Sequence, residues 1–175
     1  MEGNTVIQEK VWQTYIDMGI SAARAGREDV AEQMLDAAME FARSLPRSRP
    51  DTADKLYTLA CVNGSQRRIR RALTLHKEAL AIYDQTLEPD DPRILRVLNA
   101  LSEIYMAYGK PEKAEVHLER AAHYDENRLG YEERLILVDV LIKLALLSYN
   151  QHRYSESAKH YLRAETIRQN LNKCA

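Results

Sequence analysis

The sequence predicts an all-α protein, a solenoid of about four antiparallel helix pairs in one domain spanning residues 1–175. Three observations carry that expectation. The 175 residues include only 6 Gly and 5 Pro, too few for the many short connections of a sandwich or barrel. Hydrophobic residues make up 45% and charged residues 29%, the balance of a globular chain rather than a disordered one. The third observation is a set of small and bulky slots that recurs four times. A turn residue is followed five positions later by a small residue, then by a bulky one, then by another small one. The slots read Gly26, Ala31, Leu35, Ala38; Arg67, Ala72, His76, Ala79; Gly109, Ala114, Leu118, Ala121; and His152, Ser157, Tyr161, Ala164. Seven residues before each turn stands Gly19, Ala60, Ser102 or Ala145, preceded by Met18, Leu59, Leu101 or Leu144.

Such a unit is two helices joined by a tight turn. Small residues at fixed places let the two backbones approach, and the bulky slots fill the space between neighbouring pairs. No pair can bury its apolar face alone, so the pairs must stack. Helices are expected at about 5–25, 28–44, 52–65, 68–87, 93–108, 112–127, 131–151 and 155–171, giving repeats over about 5–46, 52–88, 93–128 and 131–172. Pro46 and Pro50 interrupt the chain after the second helix, and Pro89 and Pro92 after the fourth. Asp51 or Thr52, and Asp91, are placed to cap the helices that follow. The 125–130 segment closes the third repeat.

Tyr15-Ile16-Asp17-Met18-Gly19 with Gly26 and Ala31, and Leu98-Asn99-Ala100-Leu101-Ser102-Glu103-Ile104-Tyr105 with Gly109, Ala114 and Ala121, resemble the tetratricopeptide repeat family over nearly the whole chain. The period exceeds 40 residues against the family's usual 34 or so, and Arg43, Asp84 and Glu126 stand in the closing proline slot. The long period, with Asn99 in its place, is most similar to the kinesin light chain subclass. The resemblance implies a right-handed superhelix whose first helices line a concave groove that takes a peptide or helical segment of a partner protein.

Counted along the helices, the residues facing that groove are Ile16, Asp17, Ile20 and Arg24; Asp54, Tyr57, Thr58 and Cys61; Arg96, Asn99, Glu103 and Met106; and Asp139, Ile142, Lys143, Leu146 and Tyr149. Apolar residues at the ends and a polar middle suit a partner with spaced hydrophobic anchors. The family's carboxylate clamp does not carry over, because its key slots hold Ile16, Ile20, Thr58 and Ala100, with only Arg96 basic. The function expected is that of a non-catalytic protein-binding adaptor or scaffold. The alternatives are a receptor for a small signalling peptide, or binding of RNA or an acidic partner through Arg67, Arg68, Arg70 and Arg71. No aromatic residue interleaves those arginines as base stacking requires, which favours reading them as a solvated turn and helix start, although cations there oppose the helix dipole.

The remaining residues exclude more than they offer. The formal charge is −1, which provides no bulk field for nucleic acid or an anionic membrane. His117 and His160 share one repeat slot and His76 fills the bulky one, so packing accounts for them, and no metal site, cofactor or catalytic residue is expected. Cys61 and Cys174 fit no ligand or redox spacing and read as free thiols. The opening residues contain no secretory h-region and Leu135–Leu147 is too short and too charged to span a bilayer, so a cytoplasmic location is expected. Tyr154, Ala158 and Leu162 on the last helix lack an evident cover, which predicts weak homo-oligomerisation.

Overall fold

The structure is a computed structural model that describes residues 2–173, with side chains from Ile7; Cys174 lies outside the described residues. Its elements are α1 (Glu2–Arg24), α2 (Glu28–Ser44), α3 (Pro50–Ser65), α4 (Ile69–Thr86), α5 (Pro92–Ala107), α6 (Pro111–Ala122), α7 (Tyr131–Asn150) and α8 (Tyr154–Lys173), with a 3-10 turn at Glu126–Arg128. No strand occurs among the described residues. The protein has an all-α helical repeat fold, made of two compact units: one ends at Thr86 and contains α1–α4, the other begins at Leu87 and contains α5–α8.

The turn inside each pair has one backbone solution, used four times. Gly26, Arg67, Gly109 and His152 hold φ of 70°, 60°, 63° and 63°, the left-handed conformation that ends a helix. The following amide then reaches back five residues, Arg27 to Ala22, Arg68 to Asn63, Lys110 to Tyr105 and Arg153 to Ser148, at 2.8 to 2.9 Å. The left-handed residue's own amide bonds three residues back, completing a Schellman motif that satisfies two otherwise orphaned carbonyls. Glycine takes this φ without steric cost, whereas Arg67 and His152 hold it under strain.

Proline opens α3, α5 and α6, where the missing amide hydrogen would have had no partner. Asp91 caps α5, its carboxylate accepting from the Arg93 amide at 2.9 Å. The Arg93 side chain bonds the same carboxylate and holds it below the usual range. The cap expected of Asp51 or Thr52 is not formed. Arg49 occupies the N-cap position without a side-chain bond, Asp51 pairs with Arg49, and Thr52 donates its hydroxyl to the Pro46 carbonyl at 2.8 Å. Proline at the first position already dispenses with one donor, so the carboxylate is free for the arginine.

In the first unit α1 packs on α2, α3 on α4, and α2 against α3. Gly19 shows why the small slots are small: a methyl group there would sit 2.9 Å from the Leu35 side chain. Ala31, Ala38, Ala72 and Ala79 are fully buried, and Leu35, Leu56, Leu59, Leu75 and Tyr83 fill the gaps between them. In the second unit α5 packs on α6 and α7 on α8, with α7 against both α5 and α6; Leu98, Leu101, Leu118, Leu137, Leu141 and Leu144 form the core. Each buried leucine contributes about 1.5–3 kcal/mol of transfer free energy.

The second helix of the third repeat stops at Ala122, short of the expected 127. Asp125 accepts from the Asn127 amide and turns the chain into the 3-10 segment. Arg163 of α8 then takes the freed carbonyls, donating to Ala122 and, at 2.6 Å, to Tyr124, and it pairs with Glu126 at 2.6 Å. Burial works to raise the Glu126 carboxyl, but the Arg163 hydrogen bond, a backbone hydrogen bond and the Arg163 charge together outweigh it and hold the group below its ordinary range.

Candidate functional site

The residues expected to face a partner lie on the first helices, and each unit presents its own. On α1, Asp17 and Arg24 are exposed and Ile20 is half-buried, but Ile16 is only 2% exposed. It stands i, i+4, i+7 with Trp12 and Gly19 on the stripe that packs on α2, and so leaves the exposed set. On α3, Thr58 and Cys61 are exposed and Asp54 and Tyr57 half-buried. Asp54 accepts the Tyr83 hydroxyl at 2.5 Å, and the Tyr57 ring lies 5.4 Å from His76. A cavity of about 260 Å³ borders this face between α1, α2 and α3, lined by Glu9, Phe41, Pro46, Arg49, Asp54 and Lys55.

In the second unit α5 and α7 lie side by side, and the half-buried Asn99, Asp139 and Lys143 form one polar lattice with the exposed Glu103. The Lys143 ammonium donates to Asn99 Oδ1 at 3.0 Å, to Glu103 at 2.9 Å and to Asp139 at 2.5 Å, while the Asn99 amide donates to Glu103 at 3.1 Å. Arg96 pairs with Glu133 and holds that carboxyl below the ordinary range. Lys143 thus satisfies three acceptors on two helices and sets the spacing of α5 and α7. Beside the lattice, Met106 is 40% exposed, and Leu146 and Tyr149 are each 59% exposed, with Ile142 half-buried behind them. Met106 and Tyr149 occupy the same repeat slot, as do Glu103 and Leu146.

The aromatic patch extends one residue beyond the sequence expectation. The Tyr154 ring meets Tyr149 edge-on at 5.3 Å, and its hydroxyl bonds the His152 ring. The Schellman turn at His152 brings residues 149 and 154 together, so the signal was present as two tyrosines flanking a turn slot.

Two of the four arginines in the cluster are paired. Arg71 bonds Asp36 at 2.6 Å and Glu32 at 2.9 Å, and Arg68 lies 3.3 Å from Glu28. The acids belong to the N-terminal half of α2, so cations at the start of α4 offset their dipole cost by joining consecutive repeats. Arg153 does the same in the second unit, bonding Glu115 of α6. Arg67 and Arg70 are exposed.

His76 is 3% exposed, its Nδ1 has no hydrogen-bond partner, and burial pushes its pKa down to about 4. It is a neutral packing residue. His117 stacks on Tyr105 with centroids 5.6 Å apart, and desolvation lowers His160. Desolvation also raises the Cys61 thiol, against a weaker lowering by a Tyr57 hydrogen bond, the opposite of an activated nucleophile. Among the described residues no group of three metal-ligating side chains occurs, and no helix is long and apolar enough to cross a membrane.

Among the described residues, eight helices in pairs, closed by one turn geometry and sharing one pattern of small residues, define a helical repeat protein. The chain belongs to the tetratricopeptide repeat family, whose model matches residues 13–85 and 66–126. Among solved structures it is similar to BtubC (BKLC) from P. vanneervenii, with a TM-score of 0.71 and 21% identity over 94% of this chain and 66% of that one. A kinesin light chain protein from Podosopora anserina with nearly identical TPR-like repeats gives 0.69 and 18%, covering 93% and 76%. MamA gives 0.64 and 14%, covering 93% and 81%. At these identities the likeness is one of fold. A comparison with curated protein sequences found no match. Proteins of this repeat family generally serve as non-catalytic protein–protein interaction scaffolds.

Proposed function

We propose that this protein is an adaptor that binds a peptide or short helical segment of a partner protein across the exposed face of α5 and α7. The observation that supports it most is the juxtaposition there of three exposed apolar side chains, Met106, Leu146 and Tyr149, with a lattice of Asn99, Glu103, Asp139 and Lys143. Large apolar side chains beside prearranged polar groups are the usual composition of a binding hot spot, since the anchors are desolvated while the polar groups fix orientation. The lattice is already self-satisfied, so the apolar residues supply most of the affinity. Asn99 and Arg96, whose side chains are engaged with Glu103, Lys143 and Glu133, set register. In the first unit, the exposed Thr58 and Cys61 of α3 form a separate candidate contact surface.

The test is selection from a displayed peptide library against the full chain, followed by calorimetry of the enriched peptides. Leu146→Ser combined with Tyr149→Ser is expected to weaken binding by about 2 kcal/mol or more, with the circular dichroism spectrum unchanged. Enriched peptides that bind the double variant as tightly as the wild type would refute the assignment.

A further inference from the structure

Repeat register exposes an interaction surface distinct from the peptide face. Inside each unit the junction between consecutive pairs buries the same slots. The second helix of one pair contributes a bulky side chain, Leu35 at 2% or Leu118 at 0% exposure, and the first helix of the next contributes three, Thr52, Leu56 and Leu59 or Leu137, Leu141 and Leu144, all at 2% or less. The first and fourth repeats leave the matching halves open. On α8 the bulky slot holds Tyr161, 52% exposed; on α1 the three slots hold Val11 at 40%, half-buried Tyr15, and Met18 at 48%.

The flanking charges have changed on both halves together. In the first unit Glu32 and Asp36 of α2 pair with Arg71 of α4 across the junction. The slots of Glu32 and Asp36 hold Ala158 and Leu162 in α8, and the slot of Arg71 holds Val30 in α2. An acid–base triad inside the chain is thus replaced by an apolar triad divided between the two open faces. Leu162 is 65% exposed and Val30 half-buried. At these slots the open faces of the first and fourth repeats are less polar than the junction between the first two repeats, and in matched positions.

We infer that a second copy of this chain is the occupant of these faces: α8 of one copy docks on α1 and α2 of the next, with Tyr161 and Leu162 packing on Val11, Met18 and Val30. The contact joins two different surfaces, so it is heterologous and leaves each pair of joined chains with one free face at either end. Growth is therefore open-ended unless the rotation closes a ring.

Sedimentation velocity and equilibrium of the full chain across roughly 10 µM to 1 mM test this. The weight-average mass is expected to rise with concentration and to pass that of a dimer. Val30→Arg and Leu162→Asp are each expected to lower the association constant at least tenfold, and the double variant, which recreates the Asp36–Arg71 arrangement between copies, to restore it in a salt-sensitive form. Met18→Glu, at an exposed position that leaves folding intact, is expected to weaken association to the same degree. An equimolar mixture of Met18→Glu and Leu162→Asp chains is expected to stop at a dimer, each contributing its intact face. A wild type that stays monomeric at the highest concentration overturns the inference. So does association that survives Met18→Glu and Leu162→Asp, which places the contact elsewhere or assigns these faces to a different protein. Retained peptide binding by the monomeric variants separates this result from the fate of the α5/α7 assignment.

Discussion

Replacing Arg67 by glycine should make the protein more stable, although it deletes a long side chain. Arg67 holds φ at 60°, in the slot where Gly26 and Gly109 hold 70° and 63°. A left-handed conformation costs an L-residue roughly 1–2 kcal/mol. Glycine escapes that cost, but its greater freedom in the unfolded chain returns roughly 0.5–1 kcal/mol, leaving a net gain of about 0.5–1 kcal/mol. Little is lost with the side chain, because Arg67 is exposed and makes no ion pair among the described residues. The backbone bonds of the turn, Arg67 to Gly64 at 3.0 Å and Arg68 to Asn63 at 2.9 Å, do not involve it. For a chain of this length the midpoint of thermal unfolding should rise by about 1–4 °C. Gly109→Ala, the reverse experiment in the same slot, should lower stability by about 1 kcal/mol. Thermal and urea denaturation followed by circular dichroism reads both. If Arg67→Gly destabilises as much as Gly109→Ala does, the four turns are not equivalent and the strain assigned to Arg67 is absent.

Three further outcomes follow from the packing and the charges. Ala114 is fully buried, so Ala114→Leu should cost roughly 1–3 kcal/mol, whereas Arg70→Ala at an exposed position should change the urea midpoint little; the opposite ranking would overturn the repeat register. His76, ordinarily near 6.5 and held at about 4 by burial, contributes stability that is complete above pH 6.5 and is lost as the pH falls toward 4. Relative to His76→Leu, the wild type should therefore lose about 2 kcal/mol between pH 7 and pH 5, and an unchanged difference in urea titrations would show that the ring is solvated. Arg163→Ala removes the donor to the Ala122 and Tyr124 carbonyls and should cost about 1.5–3 kcal/mol, seen as early hydrogen exchange in the 122–128 segment; protection equal to the wild type would contradict it.

Two of the turns were legible because glycine suits the left-handed end of a helix, and repeat spacing carried the other two; the slots proposed, Gly26, Arg67, Gly109 and His152, are the residues with positive φ. The small slots were legible for the same steric reason. The end of α6 was not, because it depends on Arg163, some forty residues away, reaching carbonyls that a longer helix would have used. Ile16 was misread because an apolar residue on a first helix fits either the core stripe or the exposed face, and only its spacing from Trp12 and Gly19 decides. The ion pairs inside each unit had a visible signal that charge counting misses: Arg68 and Arg153 both follow the turn residue, and each pairs with an acid on the second helix of the preceding repeat. The Asn99–Glu103–Lys143 lattice depends on α5 and α7 lying side by side, so single-helix periodicity could place its members on a face but not pair them.

The most direct measurement of the α5/α7 assignment is a map of where a selected peptide touches the protein. With the full chain isotopically labelled, amide and methyl resonances are followed as an enriched peptide is added. The largest shifts are expected at Asn99, Met106, Ile142, Leu146 and Tyr149, with Arg70, Val116 and Leu162 staying in place. Shifts centred on Arg67–Arg71, with Leu146 and Tyr149 unmoved, would contradict the account and give the partner an acidic rather than an apolar character.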